Sequence, residues 1–412
     1  MKKNLFIFTL VAVMVLSLAG AAAAADKITV TWWHTFTNEQ KDTLEEIIAD
    51  FNATHDDIEV VAESQPLDGF GSKVYEAVSN GTGPDIIFDY ASKMPDYVDN
   101  GLAPDMSKYM DIDVYKSRVP AVVFDEGTTF SDNGLHAIAV QITGPIFFYN
   151  KTIFDELGLE CPKTWDELTE ASKKIYEAKG IPGFGFDSLT DGFQTRLMQS
   201  GGEYVDVENK KVLFNTPEFE EIVQWFTDGV QEGYFSLAPT TGGYLSNDMC
   251  AKALASYVGS SAGLPYLNLG DDELAAAPMP KTVDGVDWVP DWNRSALVFV
   301  SNPEQEKAAV EFIEFFTNTE NALKWIKALV GFTPYKDVSE LPEFQDFVAS
   351  NIALQALSEQ LDYAQILPTF PGADTVRDEI KYLVQKAATG QMSAAEAIAE
   401  AVEHCEEAMN DY

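Results

Sequence analysis

Strand-like and helix-like segments alternate through the first part of this chain, and this alternation is the strongest constraint on its fold. The run 28–33 is typical of a strand, and residues 38–51 follow as an amphipathic helix with apolar side chains on one face. Residues 58–62 and 85–89 are predicted to be further strands. Such alternation predicts an α/β fold in which mostly parallel sheets are flanked by helices.

Turn and cap residues predict how the later elements begin and end. Asn133-Gly134 is a hairpin turn signal between the strand-like runs 121–130 and 135–140. A capping box at Thr164 and Glu167 starts one helix, and Thr216-Pro217 starts another. Further strands are predicted at 253–258, 274–279 and 295–300, and helices at 303–316, 320–330, 375–388 and 393–409.

Residues 1–25 match a secretory signal peptide. Lys2 and Lys3 precede an apolar run at 5–18, and Ala23-x-Ala25 offers a cleavage site before Asp26. No cysteine follows the apolar run, so we expect no lipid attachment. We therefore expect a mature chain that starts near Asp26 and is released into the periplasm, with free secretion as the alternative.

Length and charge limit the classes of protein to which this chain can belong. Removing the 25-residue leader leaves 387 residues, more than one core usually supports, so we expect two domains. The net charge of −39 becomes −41 without Lys2 and Lys3, which argues against nucleic acid and anionic membrane surfaces as partners. The dispersed acidic residues are typical of a solvated surface or of adaptation to high salt. No later apolar run is long enough for direct membrane insertion.

Motifs for metal binding and catalysis are missing from the sequence. Ser260-Ser261 lies outside any G-x-S-x-G elbow, and no zinc-protease, phosphate-loop or dinucleotide motif occurs. The cysteines and histidines show no metal-ligand spacing, and sequence alone does not pair the three cysteines; these residues are Cys161, Cys250, Cys405, His34, His55, His136 and His404. We therefore expect no cofactor, no metal site and no enzymatic activity.

Aromatic residues in loops and at predicted strand ends indicate a carbohydrate site. A sugar ring presents an apolar C–H face that stacks on aromatic rings, and hydroxyls that bind carboxylates and amides. For any single aromatic residue, packing within its own lobe is the alternative. The residues in such positions are Trp33, Phe70, Tyr90, Phe193, Tyr204, Tyr244, Tyr266, Trp288, Trp292, Phe332, Tyr335 and Phe370.

Arg294 is a scarce cation placed just before a predicted apolar strand. A guanidinium in that position can hold a carboxylate or phosphate through two parallel hydrogen bonds. A salt bridge to one of the many acidic residues is the equal alternative.

Seven short blocks occur in order along almost the whole mature chain. They are Trp32-Trp33-His34, Phe51-Asn52, Gly83-Pro84-Asp85-Ile86-Ile87, Pro145 with Phe148-Tyr149-Asn150-Lys151, Pro162-Lys163-Thr164-Trp165-Asp166-Glu167-Leu168, Ala277-Pro278-Met279-Pro280 and Gly331-Phe332-Thr333-Pro334. Together they resemble the extracellular solute-binding proteins of bacterial ABC importers, in the carbohydrate-binding group that includes maltose-binding and glycerol-3-phosphate-binding proteins. The fourth and fifth blocks are the most specific.

The resemblance implies a two-lobed periplasmic-binding-protein fold whose hinge the chain crosses about three times. The crossings are expected near 140–145, 293–300 and 331–335. Lobe 1 is expected to hold residues 26–140 and 294–333, and lobe 2 residues 141–293 and 334–412. The implied function is the capture of a small ligand between the lobes of a monomer, followed by delivery to a membrane permease.

The same blocks bear on the ligand. In the glycerol-3-phosphate-binding proteins, small polar residues stand at the positions of Thr143-Gly144 and Gly259-Ser260-Ser261. Phe332 stands where those proteins have a phosphate-contacting tyrosine, and Gln365-Ile366-Leu367-Pro368 replaces a stretch that holds an arginine. These departures favour a neutral mono- or oligosaccharide over glycerol-3-phosphate or another phosphorylated polyol.

The expected site combines stacking rings with groups that bind hydroxyls. Alternation along the first strand puts Trp32 in the core and leaves Trp33 and His34 as candidates for the cleft rim. The expected hydroxyl partners are Asp89, Gln141, Thr143 and Asp187. The full set of expected ligand-binding residues is Trp33, His34, Phe70, Asp89, Tyr90, Gln141, Thr143, Gly144, Asp187, Tyr204, Tyr244, Ser260, Ser261, Trp292, Arg294, Phe332, Tyr335 and Phe370.

Three other classes stay open from the sequence alone. A secreted carbohydrate-active enzyme would turn over a glycoside. A binder of ferric ion or another metal would show coordinating tyrosine and histidine clusters in the cleft. A chemoreceptor-coupled sensor without transport would differ only in its neighbouring genes.

Overall fold

The computed structural model describes residues 27–67, 69–238 and 243–410. The predicted signal peptide and its cleavage site lie outside these residues. In the described ranges, no helix is both long enough and apolar enough to cross a membrane.

Strands and helices alternate along the chain, as the sequence pattern predicts. The strands are β1 (Ile28–His34), β2 (Ile58–Ser64), β3 (Ile86–Tyr90), β4 (Ile138–Thr143), β5 (Pro145–Asn150), β6 (Phe184–Phe186), β7 (Val205–Asp206), β8 (Lys211–Val212), β9 (Phe235–Ser236), β10 (Ser256–Ser260), β11 (Leu274–Ala277), β12 (Val289–Val298) and β13 (Ala364–Ile366). The helices are α1 (Asn38–Thr54), α2 (Phe70–Ser79), α3 (Met94–Asp99), α4 (Ile112–Arg118), α5 (Ala121–Thr128), α6 (Lys151–Glu156), α7 (Trp165–Lys179), α8 (Leu189–Gln199), α9 (Pro217–Glu232), α10 (Leu245–Cys250), α11 (Pro303–Phe316), α12 (Thr319–Leu329), α13 (Lys336–Ser339), α14 (Pro342–Ser350), α15 (Ile352–Ser358), α16 (Ala373–Ala388) and α17 (Ala394–Asn410).

The first sheet has the order β13-β12-β3-β1-β2, and β4 pairs with β12 beside this path. β1 is parallel to both β2 and β3, whereas β12 is antiparallel to β3 and β4. Because parallel strands end at the same edge of a sheet, the ends of β1 and β3 lie together. This edge forms one wall of the space between the lobes.

Trp32 anchors the core behind the first sheet. Its side chain is fully buried, with its ring centre 4.3 Å from that of Phe88 and 5.5 Å from that of Phe316. The same core takes in Phe36, and Trp325 on α12 packs against it at 4.8 Å. The prediction that Trp32 is a core residue is confirmed.

The second sheet has the order β11-β5-β10-β6-β9 and a separate core. β5 is antiparallel to β10 and β11, while β6 is parallel to β10 and β9. Phe184 and Phe186 of β6 contact each other at 4.7 Å and face the aromatic stripe of α9 through Phe226. Two sheets with two cores give the molecule its two lobes.

Helix caps in the second lobe follow the predicted chemistry. The Thr164 hydroxyl accepts a hydrogen bond from the Glu167 amide at 3.2 Å, and the Glu167 carboxylate accepts one from the Thr164 amide at 3.2 Å. This capping box starts α7, and Gly180 ends the helix in the left-handed conformation that glycine adopts without strain. At the start of α9 the Thr216 hydroxyl accepts a hydrogen bond from the Phe219 amide, so both predicted helix starts are confirmed.

The predicted hairpin around Asn133-Gly134 is wrong. Residues 121–128 form the helix α5, and Pro120 precedes it in an extended conformation that suits a helix start. Val123 and Gly127 pack inward at helical spacing, and Gly127 lies so close to the Ala137 carbonyl that a Cβ atom would clash. The apolar run that follows begins its strand only at β4, so the turn joins a helix to a strand.

Three chain segments that pass between the lobes lie side by side, as the predicted crossings near 140–145, 293–300 and 331–335 require. β4 of the first sheet leads through Gly144 directly into β5 of the second. β12 pairs with β13 at its start and with β3 farther on, and Asn293 lies opposite Ile142. Phe332 exchanges two backbone hydrogen bonds with Ile142, at 2.7 and 2.8 Å.

The predicted residue boundaries of the lobes stay a prediction. Tyr335, Val338 and Phe344 pack on the core of the first sheet, beyond the predicted end of lobe 1 at residue 333. Helix α15 and the segments after it pack on the second sheet and its helices.

Candidate functional site

The first wall of the cleft is built where β3 and β12 run side by side. Antiparallel pairing sets Arg294 opposite Tyr90 and Ser295 opposite Asp89. The guanidinium carbon of Arg294 lies 5.3 Å from the centre of the Tyr90 ring, which is a cation–π contact. Burial lowers the pKa of Arg294, but Tyr90 and Asp89 outweigh that effect and raise it, so the guanidinium stays charged.

Lys93 extends this wall toward the second lobe. It lies in the single turn of 3-10 helix that follows β3, one helical turn beyond Asp89. Its ammonium group is 3.2 Å from the Asp89 carboxylate and 3.5 Å from that of Asp374, at the start of α16. One cation thus connects a carboxylate of each lobe.

Asp187 supplies a polar group from the second wall. It follows β6, and its Oδ1 accepts a 2.7 Å hydrogen bond from the Leu245 amide at the start of α10. Its Oδ2 occupies space that only a glycine leaves open, because a Cβ atom at Gly259 would come within 2.6 Å of it. Burial raises the pKa of the Asp187 carboxyl to about 7, against the lowering effect of the Leu245 amide.

Tyr244 faces the first wall from the second lobe. It is 52% exposed. Burial raises the pKa of its hydroxyl, Arg294 lowers it, and Asp187 and Tyr90 raise it further. Tyr244 therefore lies among groups of both walls, close enough to feel their charges.

A cavity of about 210 Å³ is lined by residues of both lobes. The first turn of α1 lines it from the first lobe, and Pro265 and Tyr266 line it from the second. The hydroxyls of Thr37 and Tyr266 are 3.3 Å apart, so the lobes touch at its edge. Tyr266 thus lies at this cavity, close enough to Tyr244 for the two side chains to interact electrostatically.

Trp292 and Thr143 lie together at the crossing segments. The Thr143 hydroxyl donates a hydrogen bond of 3.2 Å to the Trp292 carbonyl. Trp292 is 8% exposed, and its indole N–H is buried and finds no acceptor among the described residues. An unpaired buried donor is costly, and a ligand oxygen in the cleft is one group that would pair with it.

His34 lies in the core instead of at the cleft rim. It is 3% exposed, its ring stacks on Phe36, and its Nδ1 accepts a hydrogen bond from the Phe36 amide. Residues two apart on a strand share a face, so His34 points inward with Trp32. Burial lowers the pKa of His34, with Lys41 acting in the same direction.

Four other predicted site residues are also packed inside the lobes. The Gln141 side-chain oxygen accepts a hydrogen bond of 3.1 Å from the indole of Trp325. The Tyr335 hydroxyl donates to a backbone carbonyl of β4 at 2.7 Å. Tyr204 and Phe370 are buried in the core of the second lobe.

Trp33 and Phe70 lie on the outer side of β1, away from the core that holds Trp32. Both are partly buried and pack on a smaller cluster around α2 and α3. The ammonium group of Lys73 lies 5.0 Å from the Trp33 ring centre. Their partial exposure is consistent with a rim position.

The remaining predicted residues belong to the crossing region. Gly144 accepts a hydrogen bond of 3.0 Å from the Ser261 amide, and Ser261 is fully buried. The Ser260 hydroxyl accepts from the Ala262 amide at 3.2 Å. Phe332 packs between the cores of both lobes.

Sequence reasoning missed the charged residues that link the walls. Lys93 and Asp374, which link the lobes, are 281 positions apart. Within the second lobe, Arg377 binds Asp191 at 2.8 Å across 186 positions. Local sequence patterns do not predict pairs of residues that are so far apart along the chain. One sequence feature could have drawn attention to Lys93. Cations are scarce in this acidic chain, and Lys93 stands four residues after Asp89, the spacing of an ion pair on one turn of helix.

The described residues include no group of three or more histidine, cysteine, aspartate or glutamate side chains that could hold a metal ion. The three cysteines, Cys161, Cys250 and Cys405, are free thiols.

Comparison with known proteins identifies the family. The profile of the bacterial extracellular solute-binding proteins matches residues 46–355, about three quarters of the chain. The chain belongs to this family. The resemblance found in the seven sequence blocks is thereby confirmed.

Among curated proteins, two relatives match across most of the chain. The arabinooligosaccharide-binding protein of Halalkalibacterium halodurans is 24% identical over 381 residues, which covers 84% of each chain. The sn-glycerol-3-phosphate-binding periplasmic protein of Pectobacterium atrosepticum is 24% identical over 435 residues, covering 93% of this chain and 91% of that protein.

A solved structure shows the fold. The GacH receptor of Streptomyces glaucescens, determined unliganded and with acarbose, superposes with a TM-score of 0.82 at 20% identity. The match covers 93% of this chain and 99% of that one. The predicted two-lobed α/β fold is confirmed.

Proposed function

We propose that this solute-binding protein captures a sugar between its two lobes and delivers it to the membrane permease of an ABC importer. Open lobes admit the ligand, aromatic rings stack on it, and closure buries it. The closed form then docks on the permease. No bond is made or broken, so the protein acts as a carrier and needs no cofactor.

One observation carries this proposal. Tyr90 and Tyr244 come from different lobes; Arg294 lies over the Tyr90 ring, and Tyr244 is close enough to Arg294, Asp187 and Tyr90 to feel their charges. Rings that face hydrogen-bonding groups match the two sides of a sugar, its apolar C–H face and its hydroxyls. The name of the arabinooligosaccharide-binding relative supports the same ligand class.

Arg294 favours a second candidate, glycerol-3-phosphate or another phosphorylated polyol. Among the described residues its guanidinium forms no ion pair, and it contacts the Tyr90 ring instead. A guanidinium that is not paired with a carboxylate suits a phosphate. The glycerol-3-phosphate-binding relative supports this reading.

We propose a periplasmic location for the mature protein, which follows from the leader pattern at 1–25 and from the extracellular character of the family. We also propose that it works as a monomer, since one chain supplies both walls of the cleft. Its partner is the permease.

Thermal-shift screening of the mature protein tests the ligand class. The panel contains arabino- and malto-oligosaccharides, monosaccharides, glycerol and glycerol-3-phosphate. A ligand at 100 times its dissociation constant stabilises the protein by about 2.7 kcal/mol, a melting shift of several degrees.

The matched pair of glycerol and glycerol-3-phosphate separates the two candidates. A shift with sugars and none with glycerol-3-phosphate supports the first proposal, and the reverse pattern replaces it with the second. If no compound in the panel shifts the melting temperature, both proposals are contradicted.

A further inference from the structure

At one contact between the lobes, oppositely charged side chains of the two lobes meet. On the first lobe, the contact is made by residues 89–96, which include the end of β3, the 3-10 turn and the start of α3. On the second lobe it is made by residues 372–374, where α16 begins. We call these two segments together the interlobe latch.

Lys93 is the central group of the latch. Its side chain is 26% exposed and lies between Asp89 of its own lobe, at 3.2 Å, and Asp374 of the other lobe, at 3.5 Å. Asp374 is 49% exposed, so the ion pair forms at the rim of the contact. Burial lowers the pKa of Lys93, but the two carboxylates have the larger effect, so the pKa is raised overall.

A second contact supports the first. The Asp96 carboxyl faces the backbone N–H of Gly372, which precedes the first turn of α16 in a left-handed conformation. The amides at the start of a helix carry partial positive charge and attract carboxylates. Lobe 1 therefore presents a cation to Asp374 and a carboxyl group to the adjacent helix end.

These contacts link segments that belong to separate cores. Met94 and Tyr97 pack in the cluster around α2 and α3, whereas Ala373 and Val376 pack in the core of the second lobe. When the lobes separate, each segment stays with its own core. The charged contacts between them are then lost, because they have no other anchor.

We propose that the interlobe latch is a conformational device that stabilises the closed arrangement and controls how often the lobes open. A partly exposed ion pair of this kind changes the ratio of closed to open molecules by up to about fivefold. That factor sets how readily the protein opens to admit or release ligand, whatever the ligand is.

Hydrogen–deuterium exchange of the ligand-free mature protein tests the latch. In the Asp374→Ala variant, we expect residues 91–96 to exchange up to about fivefold faster than in the wild type. Asp378→Ala is the matched control, because it removes the same charge from the same helix while Asp378 pairs with Lys381 on that helix. The control should leave exchange of residues 91–96 unchanged.

The Lys93→Met variant tests the same contact by measuring exchange in the segment of the second lobe. Lys93→Met should speed exchange of residues 372–376, and Lys116→Met, a lysine of lobe 1 that stacks on Phe124, should not. The Lys93→Met and Asp374→Ala double variant should exchange no faster than the faster single variant.

Equal exchange in Asp374→Ala and Asp378→Ala overturns the proposal, and so does faster exchange spread over the whole chain without excess at the latch. No sugar is added, so this test is independent of the ligand screen.

Discussion

The two walls of the cleft are built in different ways. On the first wall every charged group already has a contact within the protein: Asp89 with Lys93, and Arg294 with the Tyr90 ring. On the second wall, Asp187 uses one oxygen for the Leu245 amide and keeps the other against Gly259, while Tyr244 stays half exposed. The first wall is held in place before a ligand arrives, and the second holds the groups that can still change partner or charge.

Because of this difference, the two walls contribute to the free energy of binding in different ways. A fixed wall loses little conformational entropy when the ligand binds, because its side chains are already ordered. An open wall supplies new hydrogen bonds and ring contacts when the lobes meet. Substitutions on the second wall should therefore affect binding more than equal substitutions elsewhere on the surface.

Tyr244→Ala should have the largest effect. Losing one stacked ring should weaken binding of the sugar found in the screen by about 10- to 100-fold, since burying an aromatic side chain is worth about 1.5–3 kcal/mol. Isothermal titration calorimetry measures the change. Tyr382→Ala is the control, because Tyr382 is similarly exposed, at 40%, and lies on α16 with its ring near Lys381. Equal affinity in the two variants would remove Tyr244 from the site.

Gly259→Ala should displace Asp187 and strain the second wall. The new Cβ atom would lie within 2.6 Å of Asp187 Oδ2 and also clash with the Tyr257 ring. Overpacking of this kind lowers the free energy of unfolding by about 1–3 kcal/mol. Chemical denaturation measures the loss, and calorimetry should show weaker sugar binding.

Gly263→Ala serves as the control for that substitution, since its nearest neighbour, the Tyr257 hydroxyl, would lie at an ordinary 3.6 Å. Stability that falls equally in both variants would mean that the close approach to Asp187 is not what matters.

The pH dependence of binding should come from Asp187. Its pKa of about 7 means that the carboxyl gains its charge as the solution passes neutrality. An ionised carboxylate accepts hydroxyl hydrogen bonds more strongly, so sugar affinity should rise several-fold between about pH 6 and 8. Asp187→Asn should bind more weakly and show a flat profile over the same range. A wild-type profile that is flat, or that falls, would contradict this role.

Glu126, behind the first wall, should affect folding and leave binding unchanged. Burial raises its pKa to about 8, and Asn293 donates it a 2.5 Å hydrogen bond. The unfolded chain loses this proton near about pH 4.3, and the folded chain keeps it up to about pH 8. Raising the pH through that window therefore lowers the free energy of unfolding, by at most about 1.4 kcal/mol per unit near neutrality.

Glu126→Gln keeps the shape without the titration, so its stability should change less than that of the wild type between about pH 7 and 8. Urea denaturation measures the free energy of unfolding at each pH. If this free energy changes equally with pH in the two proteins, a group other than Glu126 causes the pH dependence.

Local chemistry made much of the fold predictable. The caps at Thr164 and Thr216 are predictable from the sequence because each hydrogen bond lies within four residues. Trp32 followed from strand alternation, and the same rule, applied to His34, would have placed it inward as well. The strand prediction for 121–130 is wrong because Val123 and Gly127 form a helical face, and the apolar residues of this run fit a strand equally well.

The candidate site was less predictable, for a physical reason. Residue type identifies groups that can bind a sugar, but only the fold decides which of them reach the cleft. Gln141 is as polar as Asp187, yet its oxygen is taken by the Trp325 indole. The contact of Lys93 with Asp374 joins residues 281 positions apart, so local sequence does not predict it.

The bonding among the crossing segments limits how the molecule can move. Asn293 pairs with Ile142, and Ile142 is bonded on through its backbone to Phe332, so the three segments form one strip. A strip of bonded strands bends as a unit, because bending one strand alone would break backbone hydrogen bonds. The main motion left to the lobes is thus a single rotation about this strip. When a ligand is captured, this rotation is the main motion that it has to stop.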